Sequence, residues 1–203
     1  MRDTPCWLLL AALPAEISAA QLPPGLELVY TGVGKLNAAL QTWRAIERCQ
    51  PQGLINFGTA GRTHAGVSGL VSIGEVLQRD MCAEPLSPRG ITPFCERPQR
   101  YLAAPDPTTT PPANRVRCGS GDSFVTAHDP WLATHQVDVV DMELFAIAHV
   151  AHEHGLPWHA FKFISDDANE ESARTWEQSV SQGQLLFLQA LDDLTSKLPG
   201  FKR

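Results

Sequence analysis

Hydrophobic positions along the chain follow two alternating rhythms. Trp7 to Ala12 is a continuous apolar run of strand length, the pattern of a central strand buried on both faces. Pro14 then opens a short helix carrying Glu16, and Leu26 to Thr31 forms a second strand, followed by the Gly32-Val33-Gly34 turn. From Lys35 to Cys49 the rhythm changes. Leu36, Leu40, Trp43 and Ile46 recur every three or four residues, which predicts an amphipathic helix broken by Pro51 and Gly53. Leu54 to Phe57 is a third strand leading into Gly58-Thr59-Ala60-Gly61, and Leu70 to Leu77 is another, split at Gly74.

Residues 83–114 break the alternation. They hold eight of the sixteen prolines and read as a long excursion that covers a pocket or meets another subunit. Order resumes with the short strand Val116-Arg117-Cys118. The stretch from Val137 to Asn169 then reads as an apolar run, a helix from Glu143 to His154 capped by Gly155, and a second apolar run ending in acids. Two parallel strands joined by this crossover helix bring Glu143 and Asp166 to the carboxyl ends of neighbouring strands, where open α/β sheets bind ligands. A last helix starts near Ser172, with Trp176, Val180, Phe187, Leu191, Leu194 and Leu198 on its apolar face, and Gly183 weakens it. Strands separated by helix-length crossovers predict an α/β fold. One domain over residues 1–203 stacks three layers, α/β/α, around a mostly parallel central mixed sheet.

Composition narrows the function classes. A net charge of −6 argues against a nucleic-acid backbone as partner. No stretch of about 20 apolar residues is present to span a bilayer. The five cysteines are scattered and contain no CxxC, as reduced cytoplasmic thiols would be. The apolar residues from Cys6 to Leu13 mimic a secretory signal, but their basic flank is Arg2 alone, offset by Asp3, and a buried first strand explains them.

On position alone, Glu143 is a helix-dipole partner, Asp166 and Asp167 are N-caps, and Glu16 is a surface acid. An ordered set of motifs changes that weighting. Gly32-Val33-Gly34-Lys35-Leu36-Asn37-Ala38-Ala39, Asn56-Phe57-Gly58-Thr59-Ala60-Gly61, Ser72-Ile73-Gly74-Glu75-Val76, Gly121-Asp122-Ser123-Phe124, Asp141-Met142-Glu143 with Ala146 to His149, and Ile164-Ser165-Asp166 occur in sequence. Together they resemble the purine nucleoside phosphorylase superfamily, and within it the 5′-methylthioadenosine/S-adenosylhomocysteine nucleosidase branch.

The resemblance implies a nucleoside phosphorylase-like fold, a small-molecule purine nucleoside as substrate and a homodimer. It also implies a mechanism without metal or cofactor. Glu143 matches the acid that holds the ribose hydroxyls and steadies the cationic sugar, with Asp141 beside it. Asp166 matches the general acid that protonates the purine at N7, oriented by Ser165, and Glu16 matches the acid that activates water. Phe124 stacks on the base and the Val125 backbone meets its polar edge. Thr59, Ala60 and Gly61 line the sugar and the water, and Met142 packs beneath the ribose. Departure of a purine builds positive charge on the sugar and negative charge on the base, and such groups oppose both. Asp166 must then hold a proton near neutral pH, above its reference value of ~3.9, while Glu16 must be ionised.

The turn after the first strand lacks the arginine pattern of a phosphorylase, so hydrolysis is favoured. Arg62 is the one residue singled out as able to hold phosphate. Asp141, Lys162 and Asn169 replace family residues, Leu144 and Phe145 replace smaller ones and narrow the pocket, and Asp80 to Phe94 does not match the nucleosidase segment. Futalosine hydrolysis, phosphorolysis and a non-catalytic nucleoside-binding role are therefore alternatives. His149, His152 and His154 share a helix end, but their spacing is not that of a zinc motif.

Overall fold

Five consecutive buried residues make Trp7–Ala11 a strand at the heart of the sheet. The computed structural model of the protein describes residues 7–105, 116–166 and 172–198, with the backbone alone for Asp166 and residues 172–182. In chain order the elements are β1 (Trp7–Ala11), β2 (Leu26–Tyr30), α1 (Lys35–Cys49), β3 (Gly53–Arg62), β4 (Leu70–Gln78) and β5 (Arg100–Leu102), then β6 (Val116–Ser120), α2 (Pro130–Thr134), β7 (Val139–Asp141), α3 (Leu144–Glu153), β8 (Trp158–Asp166) and α4 (Ser172–Thr195). Among the described residues no helix is long and apolar enough to cross a membrane, and Cys49, Cys82, Cys95 and Cys118 are free thiols.

The pleat of β1 divides the interior. Leu8 and Leu10 join a cluster with Ala38, Ala45 and Ile46 of α1 and Leu144, Ile147 and Ala151 of α3. Trp7, Leu9 and Ala11 point the other way, onto Phe187, Leu191 and Leu194 of α4. Successive residues of a strand face opposite sides, so one apolar run serves two helix layers. Gly183 has a packing role here. A Cβ on it would lie 2.6 Å from Phe163 Cγ, so glycine lets α4 touch β8.

The eight strands run in the order β2-β1-β3-β7-β6-β4-β5, and β8 pairs with both β3 and β4. Strands β3, β8, β4, β6 and β7 therefore close a ring. Pairs β1/β2, β1/β3, β3/β8, β4/β6 and β6/β7 are parallel, while β3/β7, β4/β5 and β4/β8 are antiparallel. This corrects one expectation. β7 and β8 are not neighbours, because β3 lies between them: Gly61 pairs with Val140 on one side and with Asp166 on the other. The segment 58–61, read as a loop, is the second half of the ten-residue β3. Ala60 pairs with Ile164 and Gly61 with Asp166, which leaves Ser165 as the extra residue of a β-bulge. Such bulges re-aim side chains beside active sites.

Other expectations change in detail. β4 runs through Gly74 without a break, although its register with β6 shifts there. Residues 14–16 form a turn rather than a helix, α2 was not anticipated, and the excursion contains β5. α1 has the expected bounds, but its buried face is Ala38, Thr42, Ala45 and Ile46. Leu36, Leu40 and Trp43 are 80%, 45% and 46% exposed. Small residues let α1 lie close against α3, and this turns the larger apolar stripe outward.

Candidate active site

Glu16 is held where the chain leaves β1. Its Oε2 accepts the Ala12 and Leu13 N–H groups at 2.8 and 3.0 Å, and its Oε1 accepts the Thr59 N–H at 3.1 Å. These bonds replace the expected helix: the carboxylate itself ties down the turn, and Glu16 is buried rather than on the surface. Gly58 fits closely beside it, since a Cβ there would sit 3.1 Å from Glu16 Oε1 and 3.4 Å from Lys162 Nζ.

Glu143 occupies the N-cap position of α3 but makes no capping bond with its side chain. The exposed N–H groups of that helix find other partners. Leu144 N–H donates to Asp141 Oδ2 at 2.9 Å and Phe145 N–H to Ser120 Oγ at 2.8 Å. Glu143 is thereby released to reach across the sheet, where its Oε1 accepts the Gly34 N–H at 2.9 Å. Gly34 has φ +91°, a left-handed conformation that glycine adopts without strain, and this aims its N–H at the acid.

Beneath the acids lies a buried ion pair, Lys162 Nζ to Asp141 Oδ2 at 2.7 Å. Burial disfavours the Lys162 ammonium, but the charges of Asp141 and Glu143 outweigh it and hold the pKa above its ordinary value. Burial likewise opposes ionisation of Asp141, and the Lys162 charge with bonds from Lys162, Ser120 and Leu144 N–H keeps that carboxyl below the usual range. Glu143 behaves oppositely. Burial and the nearby Asp141 charge push it up to about 7, against the pull of Lys162 and the Gly34 N–H.

These groups surround a cavity of about 230 Å³. Its walls include Ala12, Leu13 and Glu16 after β1, Val33, Thr59 to Gly61 of β3, Arg79 after β4, Ser123 to Val125, Val140 to Glu143, and Ser165. The structure thus brings together ten of the eleven positions named from sequence: Glu16, Thr59, Ala60, Gly61, Phe124, Val125, Asp141, Met142, Glu143 and Ser165. Asp166 follows Ser165 at the end of β8; its side chain lies outside the described atoms, as do Asp167 and Asn169. Asp141 borders the space, but protein donors occupy its oxygens. A larger open cleft of about 830 Å³, which also touches Val125, is lined by Glu75, Asp129 and Asp138 and by none of Glu16, Asp141 and Glu143, so the smaller cavity is the candidate site.

Some residues are placed elsewhere. Arg62 does not line the cavity and reaches the Val67 carbonyl at 3.4 Å. Leu144 is buried in the core and Phe145 packs on Tyr101, so neither narrows the cavity. The described part of the excursion lines a separate groove of about 470 Å³ against Leu36, Ala39 and Phe145. His149 shares a 2.7 Å hydrogen bond with the Tyr101 hydroxyl, while His154 packs on Trp43. Among the described residues no His, Cys, Asp and Glu side chains cluster as a metal site. Ala12, Leu13, Val33, Arg79, Ser123 and Val140 are the lining residues not assigned a role from sequence, and Lys162 lies beneath the lining, paired with Asp141. Arg79 carried one usable signal, its place directly after an apolar strand, at the end where α/β sheets bind ligands.

Fold and cavity define an α/β protein that gathers acids at the ends of a ring of strands. The chain belongs to the Phosphorylase superfamily, whose sequence model matches residues 27–195. It is 28% identical over 173 residues to the 5′-methylthioadenosine/S-adenosylhomocysteine nucleosidase of Bacillus cytotoxicus, covering 78% of this chain and 75% of that one. Its fold is also that of solved structures. S-adenosylhomocysteine nucleosidase from Streptococcus pyogenes, in complex with 5-methylthiotubericidin, superposes with a TM-score of 0.79 at 22% identity, covering 95% of this chain and 98% of that one. Futalosine hydrolase of Helicobacter pylori gives 0.83 at 19% identity, covering 98% and 100%.

Proposed function

We propose that this chain hydrolyses the N-glycosidic bond of a purine nucleoside of the 5′-methylthioadenosine or S-adenosylhomocysteine kind, releasing free base and the ribose moiety. The observation that carries the reading is the meeting of Glu16, Glu143 and Ser165 on one cavity, with Asp166 the next residue of β8. Water attacks C1′ as the base departs. Glu16 takes the proton of the water, Asp166 gives one to N7, and Glu143 holds the ribose and opposes its positive charge. Phe124 and the Val125 backbone receive the base, and Thr59 to Gly61 with Met142 enclose the sugar.

Phosphorolysis is the weaker reading because, among the described residues, the cation lining the cavity and the one beneath it are both engaged. Lys162 is paired with Asp141, and Arg79 donates to the Gly121 carbonyl at 3.0 Å and to the Ser123 carbonyl. A phosphate would meet Glu16 and Glu143, and among the described residues no guanidinium fork is turned toward it. The test is base release from a nucleoside panel that includes futalosine, with and without phosphate. Equal rates in both support hydrolysis; a strict phosphate requirement overturns it. Asp166→Asn is expected to lower kcat by about 10²–10⁴ with little change in KM, and near-normal turnover would remove the general acid from this account.

The protein works as a cytoplasmic homodimer in this reading. The free thiols suit a reducing compartment, and the outward Leu36, Leu40 and Trp43 stripe beside the second groove is the face a second copy would cover.

A further inference from the structure

Two adjacent charged residues after β4 join walls of the cavity that lie far apart in sequence. Arg79 is 4% exposed, and its guanidinium is spent on one loop. Nη2 donates to the Gly121 carbonyl at 3.0 Å and to the Ser123 carbonyl, and Nη1 donates to Ser123 Oγ at 3.2 Å. That loop runs directly into Phe124 and Val125. Its fit is close, since a Cβ on Gly121 would stand 2.9 Å from both Arg79 Cζ and Asp80 Cγ.

Asp80 carries the connection onward. Its Oδ2 accepts the Asp122 N–H at 2.8 Å, and its Oδ1 pairs with the Lys35 ammonium. Asp122 in turn accepts the Lys35 backbone N–H at 2.7 Å, and a Cβ on Gly34 would lie 3.2 Å from the same carboxylate oxygen. Gly34 is the residue whose N–H holds Glu143. Burial opposes ionisation of Asp80, but the bond from Lys35 and the Asp122 N–H outweigh it, so the linkage stays charged. Polar contacts joined through the adjacent pairs Arg79-Asp80 and Gly34-Lys35 therefore run from the Phe124 side of the cavity to the Glu143 side, outside the acids themselves.

We propose that Arg79 and Asp80 are positioning residues for the nucleoside. Arg79 fixes the loop that presents Phe124 and Val125 to the base, and Asp80 transmits that placement through Asp122 and Lys35 to the Gly34 amide that holds Glu143. The inference rests on the nucleosidase reading above. It differs from a purely structural role, which would change stability and leave the balance between base binding and turnover alone.

The test uses wild type, Arg79→Ala, Arg79→Lys and Asp80→Asn. For each, kcat and KM for base release, the Kd of free purine base by titration calorimetry, and Tm are measured where circular dichroism shows a folded chain. Arg79→Ala is expected to weaken base binding about tenfold or more, because charged hydrogen bonds to the loop are lost. Arg79→Lys is expected to recover Tm but not base affinity, since an ammonium cannot span three acceptors as a planar fork does. Asp80→Asn keeps an acceptor for the Asp122 N–H and loses the negative charge that pairs with Lys35. It is expected to keep base affinity within about threefold while kcat falls about tenfold and the acid limb of the pH profile shifts.

Wild-type base affinity in Arg79→Lys, or an unchanged kcat and pH profile in Asp80→Asn, would overturn the proposal, and both remain informative if Arg79→Ala fails to fold. A wild type that binds base without cleaving any nucleoside would refute the nucleosidase reading while the affinity measurements still judge Arg79. A wild type that binds no base would overturn both.

Discussion

Replacing Glu143 with glutamine separates what this acid costs the fold from what it gives the site. Glu143 is 8% exposed, and burial together with the Asp141 charge raises it from an ordinary 4.5 to about 7. The folded protein thus holds this proton more tightly than the unfolded chain does. The stabilisation it brings is complete below pH 4.5 and is lost as pH rises toward 7. Above that range the native state carries a buried carboxylate at a cost of about 3 kcal/mol. Glutamine keeps the shape and can accept the Gly34 N–H, but it does not titrate. Between about pH 5 and about pH 8.5, Glu143→Gln should gain about 2–3 kcal/mol on wild type, roughly 5–10 °C in Tm for a chain of this size. The same variant should lose about 10²–10³ in kcat, because the charge that opposes the ribosyl cation is gone. Urea unfolding at several pH values, with base release on the same samples, measures both. A stability difference that stays flat across that range would refute the claim that burial holds the proton on Glu143.

The remaining expectations are more local. Lys162→Met leaves Asp141 buried without its counter-charge and should cost about 3–5 kcal/mol; adding Asp141→Asn should return part of it, and urea titration of single and double variants decides. Gly183→Ala gains about 1 kcal/mol of helix propensity but forces a methyl against Phe163 at a cost of about 1–3 kcal/mol, for a net loss of up to about 2 kcal/mol; a higher Tm would mean that α4 and β8 are not in close contact. Leu36→Glu places a charge on the outward stripe of α1 and should convert the proposed dimer to monomer in sedimentation at unchanged Tm. A monomeric wild type would remove that interface.

Much of the fold was legible because its signals are local. Gly34 and Pro51 bracket α1, Gly155 ends α3, and the continuous apolar run of β1 requires burial on both faces. The outward turn of Leu36, Leu40 and Trp43 was not legible. Periodicity identifies a helix with an apolar stripe, whereas which stripe faces inward depends on how closely the small residues Ala38, Thr42 and Ala45 allow a neighbour to approach. The ring of strands was hidden for a similar reason: β3 looks like a four-residue run followed by a glycine-rich loop, and its continuation to Arg62 is stabilised by partners far away in sequence. The cavity was largely readable through its ordered motifs. Asp80 opens the stretch that matches the nucleosidases poorly and Arg79 directly precedes it, so their ties to Ser123, Asp122 and Lys35 emerged only in three dimensions.

The ring also sets when the cavity can exist. Gly61 and its partner Asp166 are 105 positions apart, and pairings of such separation form slowly because a long loop must close first. A chain made from its N-terminus has released Glu16 and Thr59 well before β8 (Trp158–Asp166) appears. Until then Leu54 to Phe57, all buried in the finished fold, offer a bare strand edge to any neighbouring chain. Insertion of β8 between β3 and β4 ends that exposure and completes the cavity in the same event, so a nascent chain is most prone to aggregate during the interval in which it cannot yet hold a substrate.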